Sequence, residues 1–272
     1  MKKLREWLVA LFEKIFGGGG PYFPEFTTEI KDLIGYGPSY LWIHMSSSEI
    51  VEFADLLVEN NNTVTHAEGL SYAELGYYEN QDVALDKLMP YAREILSRNI
   101  TFAWTYLNWN SQNICNLLNF EMAKHAIHRF LDEVGAEGVM FCPVSEWGPG
   151  CRNQQCWRLA QQICDYAAKV WPGMLLWNRG ARPTSAPAPH RIEYHPQGVH
   201  DTGPENSIIV TDCTSILNQF GGLNSYFNPQ KVQAYAQKCH DAGRGIIIYD
   251  FGNPQTYGVV DTGVVQALGG LT

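Results

Sequence analysis

Short apolar runs alternate along this chain with longer stretches in which apolar side chains recur every three or four positions. The short runs read as strands: Tyr40–Met45, Thr63–Glu68, Thr101–Tyr106, Gly138–Val144, Met174–Asn178, Arg191–His195, Ile208–Asp212 and Gly245–Asp250. The longer ones read as helices: Ser47–Glu59, Gln81–Arg98, Cys115–Val134, Cys156–Val170 and Pro229–Ala242. Ser46-Ser47-Ser48-Glu49 and Asn80-Gln81-Asp82 supply side-chain acceptors for helix starts, and Gly135, Gly173 and Gly243 stand where helices stop.

Strands that alternate with helices pair in parallel through crossover connections. Ile246-Ile247-Ile248 and Ile208-Ile209-Val210 are apolar throughout, as expected of parallel strands covered on both faces. Eight such strands predict an α/β fold of the (β/α)8 barrel class, beginning near residue 39. An open doubly wound sheet is the competitor, but no Gly-x-Gly-x-x-Gly follows the first strand and no P-loop motif occurs. The Pro- and Ala-rich connection Ala181–Pro189 carries no helical pattern.

Upstream, Leu4, Trp7, Leu8, Leu11, Phe12 and Ile15 form an apolar helical stripe, followed by Gly17 to Gly20 as a flexible linker. The division expected is therefore a helix and linker over residues 1–20 and a barrel over residues 21–272. Four basic against two acidic residues give the first twenty a charge of +2, within a chain of −9. The uninterrupted apolar core Trp7–Phe12 is too short for a membrane span, and no small-residue cleavage site follows it, so no cleaved signal is expected. The segment reads either as a helix packed on the barrel or as one docking on a membrane surface, particle or partner through residues 1–16.

Composition narrows the function. A length of 272 residues, 45% of them hydrophobic, with mean hydropathy −0.20 excludes a disordered chain and a polytopic membrane protein. The acidic balance argues against nucleic acid as a partner, because phosphate neutralisation needs a basic face. Eight Trp and fourteen Tyr suit a groove that stacks flat, neutral ligands, although a well-filled core would also use them. Of seven Cys, Cys142, Cys164 and Cys239 lie in apolar or helical patterns and read as buried thiols. Cys151 and Cys156 bracket a short polar stretch; a local disulfide and two free thiols are both open there, and a metal site lacks further ligands at that spacing.

A barrel carries its chemistry at the C-terminal ends of its strands. Those ends hold His44; His66 and Glu68; Tyr106, Asn108 and Trp109; Ser145, Glu146 and Trp147; Trp177, Asn178 and Arg179; Glu193, Tyr194 and His195; Asp212; and Tyr249 and Asp250. No Lys stands at a strand end for Schiff-base chemistry, no His-x-His is present, and Gly221-Gly222 lies too far past Asp212 for a phosphate-gripping turn. Carboxylates among aromatics remain, which is what glycoside hydrolysis requires, without a cofactor: one carboxyl protonates the leaving oxygen and another attacks the anomeric carbon or activates water.

Phe141-Cys142-Pro143-Val144-Ser145-Glu146-Trp147 closes the fourth strand, and there the chain resembles the large clan of (β/α)8 retaining glycoside hydrolases. The resemblance implies an acid/base at Glu146 and a nucleophile at the end of strand seven, where Asp212 stands. Two departures accompany it: Ser145 replaces the clan's Asn, and Asp212 its Glu. Glu193, Asp250 and Glu68 stay open as the second carboxylate. Trp147, Trp177, Asn178, Tyr194, His195, Tyr106, Trp109, His66, Glu68 and Tyr249 are the candidate contacts to a poly- or oligosaccharide. The plainer readings are a surface carboxylate for Glu146, a helix cap for Asp212, packing for the aromatics and structural roles for the histidines. A catalytically inactive carbohydrate-binding barrel, or a metal-dependent hydrolase or lyase using His44, His66 and His195, are the alternative functions. The absence of a cleaved signal favours the cytoplasm, whereas a glycan substrate favours an exported or phage-associated enzyme.

Overall fold

A computed structural model describes residues 29–38, 44–68, 81–108, 119–145, 154–179, 185–186, 190–196, 199–212, 229–249, 260 and 262–271. The helix and linker expected over residues 1–20 lie outside them. Eight strands form one sheet: β1 (Ile34–Gly37), β2 (Val64–Glu68), β3 (Thr101–Asn108), β4 (Val139–Ser145), β5 (Met174–Trp177), β6 (Arg191–Tyr194), β7 (Ser207–Asp212) and β8 (Gly245–Tyr249). All pairs are parallel, in the order β1-β8-β7-β6-β5-β4-β3-β2. The two ends of this order meet through a few bonds only. Thr63 N donates to Ile34 O at 2.8 Å, Ile34 N to Thr63 Oγ1 at 2.9 Å, and Thr65 Oγ1 to Tyr36 O at 2.8 Å. The result is a nearly closed (β/α)8-type barrel.

The first strand corrects the sequence reading. It is Ile34–Gly37, ahead of the run Tyr40–Met45; residues 39–43 lie outside the described set, and His44 and Met45 form a turn and an irregular step. Two of its four residues are glycines, so no apolar run announces it. The glycines are there because β2 lies so close: a Cβ at Gly35 would fall 1.7 Å from Val64 O, and one at Gly37 2.9 Å from His66 Cβ. His44 stands in a turn shortly before a helix.

Six helices surround the strands among the described residues: α1 (Ser47–Glu59), α2 (Gln81–Leu96), α3 (Phe120–Glu133), α4 (Gln154–Val170), α5 (Pro229–Asp241) and α6 (Thr262–Gly269). None is long and apolar enough to cross a membrane. α1 starts at a complete capping box, in which the Ser46 hydroxyl accepts from Glu49 N while Glu49 Oε2 accepts from Ser46 N at 2.7 Å. α3 starts five residues later than its pattern predicts, because Asn119 Oδ1 accepts from Met122 N at 2.9 Å and caps it there. Between β6 and β7 the described residues form a turn instead of a helix. Tyr194 OH donates to Asp201 Oδ2 at 3.0 Å and Tyr235 OH to Asp201 O at 2.8 Å, tying this turn to β6 and α5.

Strand alternation divides the core in two. Val64, Ala103, Met140, Cys142, Leu176, Ile208, Val210, Ile247 and Tyr249 fill the barrel, with Leu33 beneath them. The intervening residues pack against the helices, where Trp104 stacks on Phe130 and Phe141 at 4.3 and 4.6 Å. Cys142, Cys164 and Cys239 are buried free thiols, as expected. Cys156 is disulfide-bonded to a residue outside the described set.

Candidate active site

At the C-terminal end of the barrel the apolar filling gives way to polar side chains from β2, β3, β4, β6 and the residue after β5. β6 alternates Ile192 and Tyr194 toward the helices with Glu193 toward the interior, and His195 follows on the same side. On β4 the alternation breaks at Pro143: Cys142 belongs to the barrel filling and Val144 to the outer layer, yet Ser145 again reaches inward. Proline cannot donate to a sheet ladder and marks such irregular steps. Without that step Val144, not Ser145, would face the site.

Glu193 is the centre of the cluster and only 1% exposed. Its Oε1 accepts from Asn178 Nδ2 at 2.8 Å, Ser145 Oγ at 2.9 Å and His195 Nε2 at 3.2 Å. Asn178 Nδ2 also donates to Ser145 Oγ at 3.0 Å. Oε2 is buried and has no hydrogen-bond partner among the described residues. Deeper in, His66 Nε2 meets Thr105 Oγ1 at 3.0 Å, and the His66 and Tyr249 rings lie 5.6 Å apart. His66 Nδ1 and Asn178 Oδ1 are likewise buried without hydrogen-bond partners among the described residues.

Burial pushes the Glu193 carboxyl upward, but the hydrogen bond and charge of His195, the charge of His66 and the hydrogen bond from Asn178 outweigh it and bring the pKa down to about 2. Burial also dominates at His66, lowering it to about 4 against the upward pull of Glu193. Near neutral pH His66 is therefore uncharged, and the Glu193 anion rests on His195, Asn178 and Ser145. Burial first, then the negative charge of Glu193, keeps Cys142 a thiol.

A Ser-His-acid relay does not fit this geometry. In a Ser-His-acid relay the serine donates to the histidine and the acid binds the other ring nitrogen. Here Ser145 and the same His195 nitrogen both donate to one carboxylate oxygen, and Ser145 Oγ lies 3.5 Å from His195 Nε2, so His195 Nε2 cannot take the serine proton. Among the described residues no three His, Cys, Asp or Glu converge in a way that could hold a metal ion.

The structure thus brings together Glu193, His195, Asn178, His66 and Tyr249 from the expected set. Tyr106, Tyr194 and Trp177 lie in the strand–helix layer instead; Tyr106 OH donates to Gln81 Oε1 at 2.9 Å. Glu146, Trp147, Trp109 and Asp250 are outside the described residues, and for Glu68 and Asp212 only the backbone is described, as the last residues of β2 and β7. Thr105 and Cys142 were not anticipated as parts of the cluster. Counting by two along β3 from Ala103, and along β4 from Met140, would have placed both inside.

No protein-family model matches the sequence, and no curated protein matches it. Solved structures do. The chain is similar to a tri-modular family 5 endo-β-1,4-glucanase from Bacillus licheniformis, with a TM-score of 0.56 and 12% identity over 89% of this chain and 60% of that one. It is similar to Cel5A of Thermotoga maritima, solved with cellobiose, with a TM-score of 0.56 and 12% identity over 88% of this chain and 98% of that one. It is similar to a family 5 lichenase from Caldicellulosiruptor, with a TM-score of 0.54 and 11% identity over 88% and 93%. The barrel is therefore the fold of glycoside hydrolase family 5 structures, and at these identities the likeness is one of fold.

Proposed function

We propose that the protein is a glycoside hydrolase that cleaves a poly- or oligosaccharide with two carboxyl groups at the barrel mouth. The observation that carries this reading is the buried Glu193 anion, held by three donors at the C-terminal ends of the strands. A water-excluded carboxylate fixed by hydrogen bonds is suited to a positively charged, oxocarbenium-like transition state. The neighbouring enzymes support the choice of substrate class. One is an endo-β-1,4-glucanase, one a lichenase, and one was solved with cellobiose, so β-glucans are the first substrates to test.

In this reading Glu146, which follows Ser145 directly, is the proton donor, with Asp212, Asp250 and Glu193 as candidates for its partner. The test is release of new reducing ends from cellulose, mixed-linkage β-glucan, xylan and mannan by the full chain. Activity on at least one glycan is expected, and Glu146→Gln should lower turnover by roughly 10²–10⁴-fold while substrate binding persists. No release from any glycan in a broad panel would reject the reading.

A further inference from the structure

We propose that the amphipathic segment of residues 1–16 docks within its own chain on the outer face of α1, where this helix meets α2. Among the described residues the large apolar side chains left exposed are Val51, Val58 and Val83, and all three stand on these two neighbouring helices. Val51 and Val58 are 38% and 47% exposed. They lie two helical turns apart and share one row with Asp55 between them. Arg98, just past α2, donates to Asp55 Oδ1 at 2.8 Å, which sets that row along the boundary with α2. A different face of α1, with Ile50, Phe53, Ala54 and Leu57, is the one buried against the barrel.

Exposed valines alone do not mark an interface. Charge adds to them. α1 carries Glu49, Glu52, Asp55 and Glu59 and no basic residue. Glu49 is engaged in the capping box, while Glu52, Asp55 and Glu59 are exposed along the outer surface. The first twenty residues carry +2, with Lys2, Lys3 and Arg5 gathered at the start of the apolar stripe that runs from Leu4 to Ile15. An apolar stripe flanked by positive charge complements an apolar row flanked by negative charge.

The path of the chain brings the two within reach. The described residues begin at Glu29, at the foot of the barrel, where Asp32 O accepts from Thr63 Oγ1. Thr63 stands four residues past the end of α1, so the tether starts beside the end of the helix that carries Val58. Residues 17–28 can extend to about 40 Å, against about 20 Å for the whole of α1. A membrane surface suits the segment less well, because Glu6 and Glu13 interrupt the basic face that attraction to anionic lipid needs.

Docked there, the segment braces the helix that covers the join of β1 and β2. Phe53 of α1 packs edge-on against Tyr36 of β1 and stacks on Tyr91 of α2, each at 6.3 Å between ring centres. Whatever holds α1 in place therefore also holds that join.

The test is hydrogen exchange on the full chain, read by peptide mass spectrometry in the absence of lipid. An isolated helix of this length is marginal in water, since nucleation is costly and packing of the apolar face supplies most of its stability. Protection in residues 1–16 therefore reports docking. Those residues are expected to exchange at least about tenfold more slowly than an unstructured peptide, at a rate independent of protein concentration. Val51→Lys combined with Val58→Lys should abolish that protection and leave the strand amides as in the parent. Leu8→Glu combined with Leu11→Glu, made in the segment itself, should speed exchange in α1 relative to α5. Four results would overturn the assignment: exchange of residues 1–16 at the unstructured rate, protection that survives the paired valine changes, α1 amides unmoved by the paired leucine changes, or protection that appears only at high protein concentration or with phosphatidylglycerol vesicles. The last would assign the segment to a second copy or to a membrane surface.

Discussion

His66 and Glu193 lie near enough for each to shift the other's titration, and they respond to acid in different windows. His66 has its pKa lowered from 6.5 to about 4 by burial, so the unfolded chain binds a proton that the folded one refuses between those values. Its contribution to stability is complete above about pH 6.5 and is lost as pH falls toward 4. Glu193, lowered from 4.5 to about 2, acts later, and its contribution is lost only as pH falls from about 4.5 toward 2. Acidification from about pH 7 to about pH 5 should therefore cost on the order of 2 kcal/mol through His66 alone. His66→Gln, which keeps a polar group opposite Thr105, should flatten this part of the profile even if it lowers stability overall. Urea unfolding of both proteins across that range measures it. Parallel pH profiles for the two would show that His66 does not stay neutral in the folded state.

Elements that carry their own start signals and a long stripe were legible in the sequence. α1 was bounded correctly because Ser46 and Glu49 form its capping box and Ile50, Phe53, Ala54 and Leu57 make one buried face over more than three turns. α6 went unread, since Val264, Val265 and Leu268 mark only two turns. β1 was displaced because its glycines answer to a neighbouring strand, which no local pattern records. Within the site, Glu193 and His195 could be seen as a polar pair at a strand end. The inward turn of Ser145 depends on the break at Pro143, and the orphaned oxygen on side chains from three strands, so neither follows from spacing.

The unread helix also makes a firm prediction. α6 crosses the turn after α1 so closely that a Cβ at Gly269 would fall 1.7 Å from Asn60 O, a backbone atom that cannot swing away. Asn62 Nδ2 donates to Val265 O at 3.0 Å and fixes the crossing. Gly269→Ala should destabilise the fold by about 2–3 kcal/mol through forced separation of the two elements. Unchanged thermal stability in that variant would mean that α6 does not pack where the structure puts it.

At the scale of the whole barrel, the seam between β1 and β2 is where closure is weakest. β1 pairs with β8 along its full length, from Ile34 opposite Ile246 to Gly37 opposite Tyr249. Toward β2 it relies on one backbone bond and on the hydroxyls of Thr63 and Thr65. Thr65 Oγ1 also lies 3.2 Å from Tyr91 OH on α2, so this one hydroxyl links strand, strand and helix. Thr65→Val keeps the shape and deletes the donor, leaving Tyr36 O buried without it, at a cost of about 1–3 kcal/mol. The cost should fall unevenly. Native-state hydrogen exchange should speed up at the amides of β1 and β2 well beyond the change in β3 and β4, whose ladder runs from Phe102 opposite Val139 to Asn108 opposite Ser145. Uniform acceleration across all eight strands would show that the seam does not open separately. The seam matters to the chemistry because His66 stands on β2 directly beside it and packs on Tyr249 of β8 from the other side. If the barrel opens there first, turnover in Thr65→Val should fall with temperature before global unfolding begins, with the site losing its deep wall while β4 and β6 still hold Ser145 against Glu193.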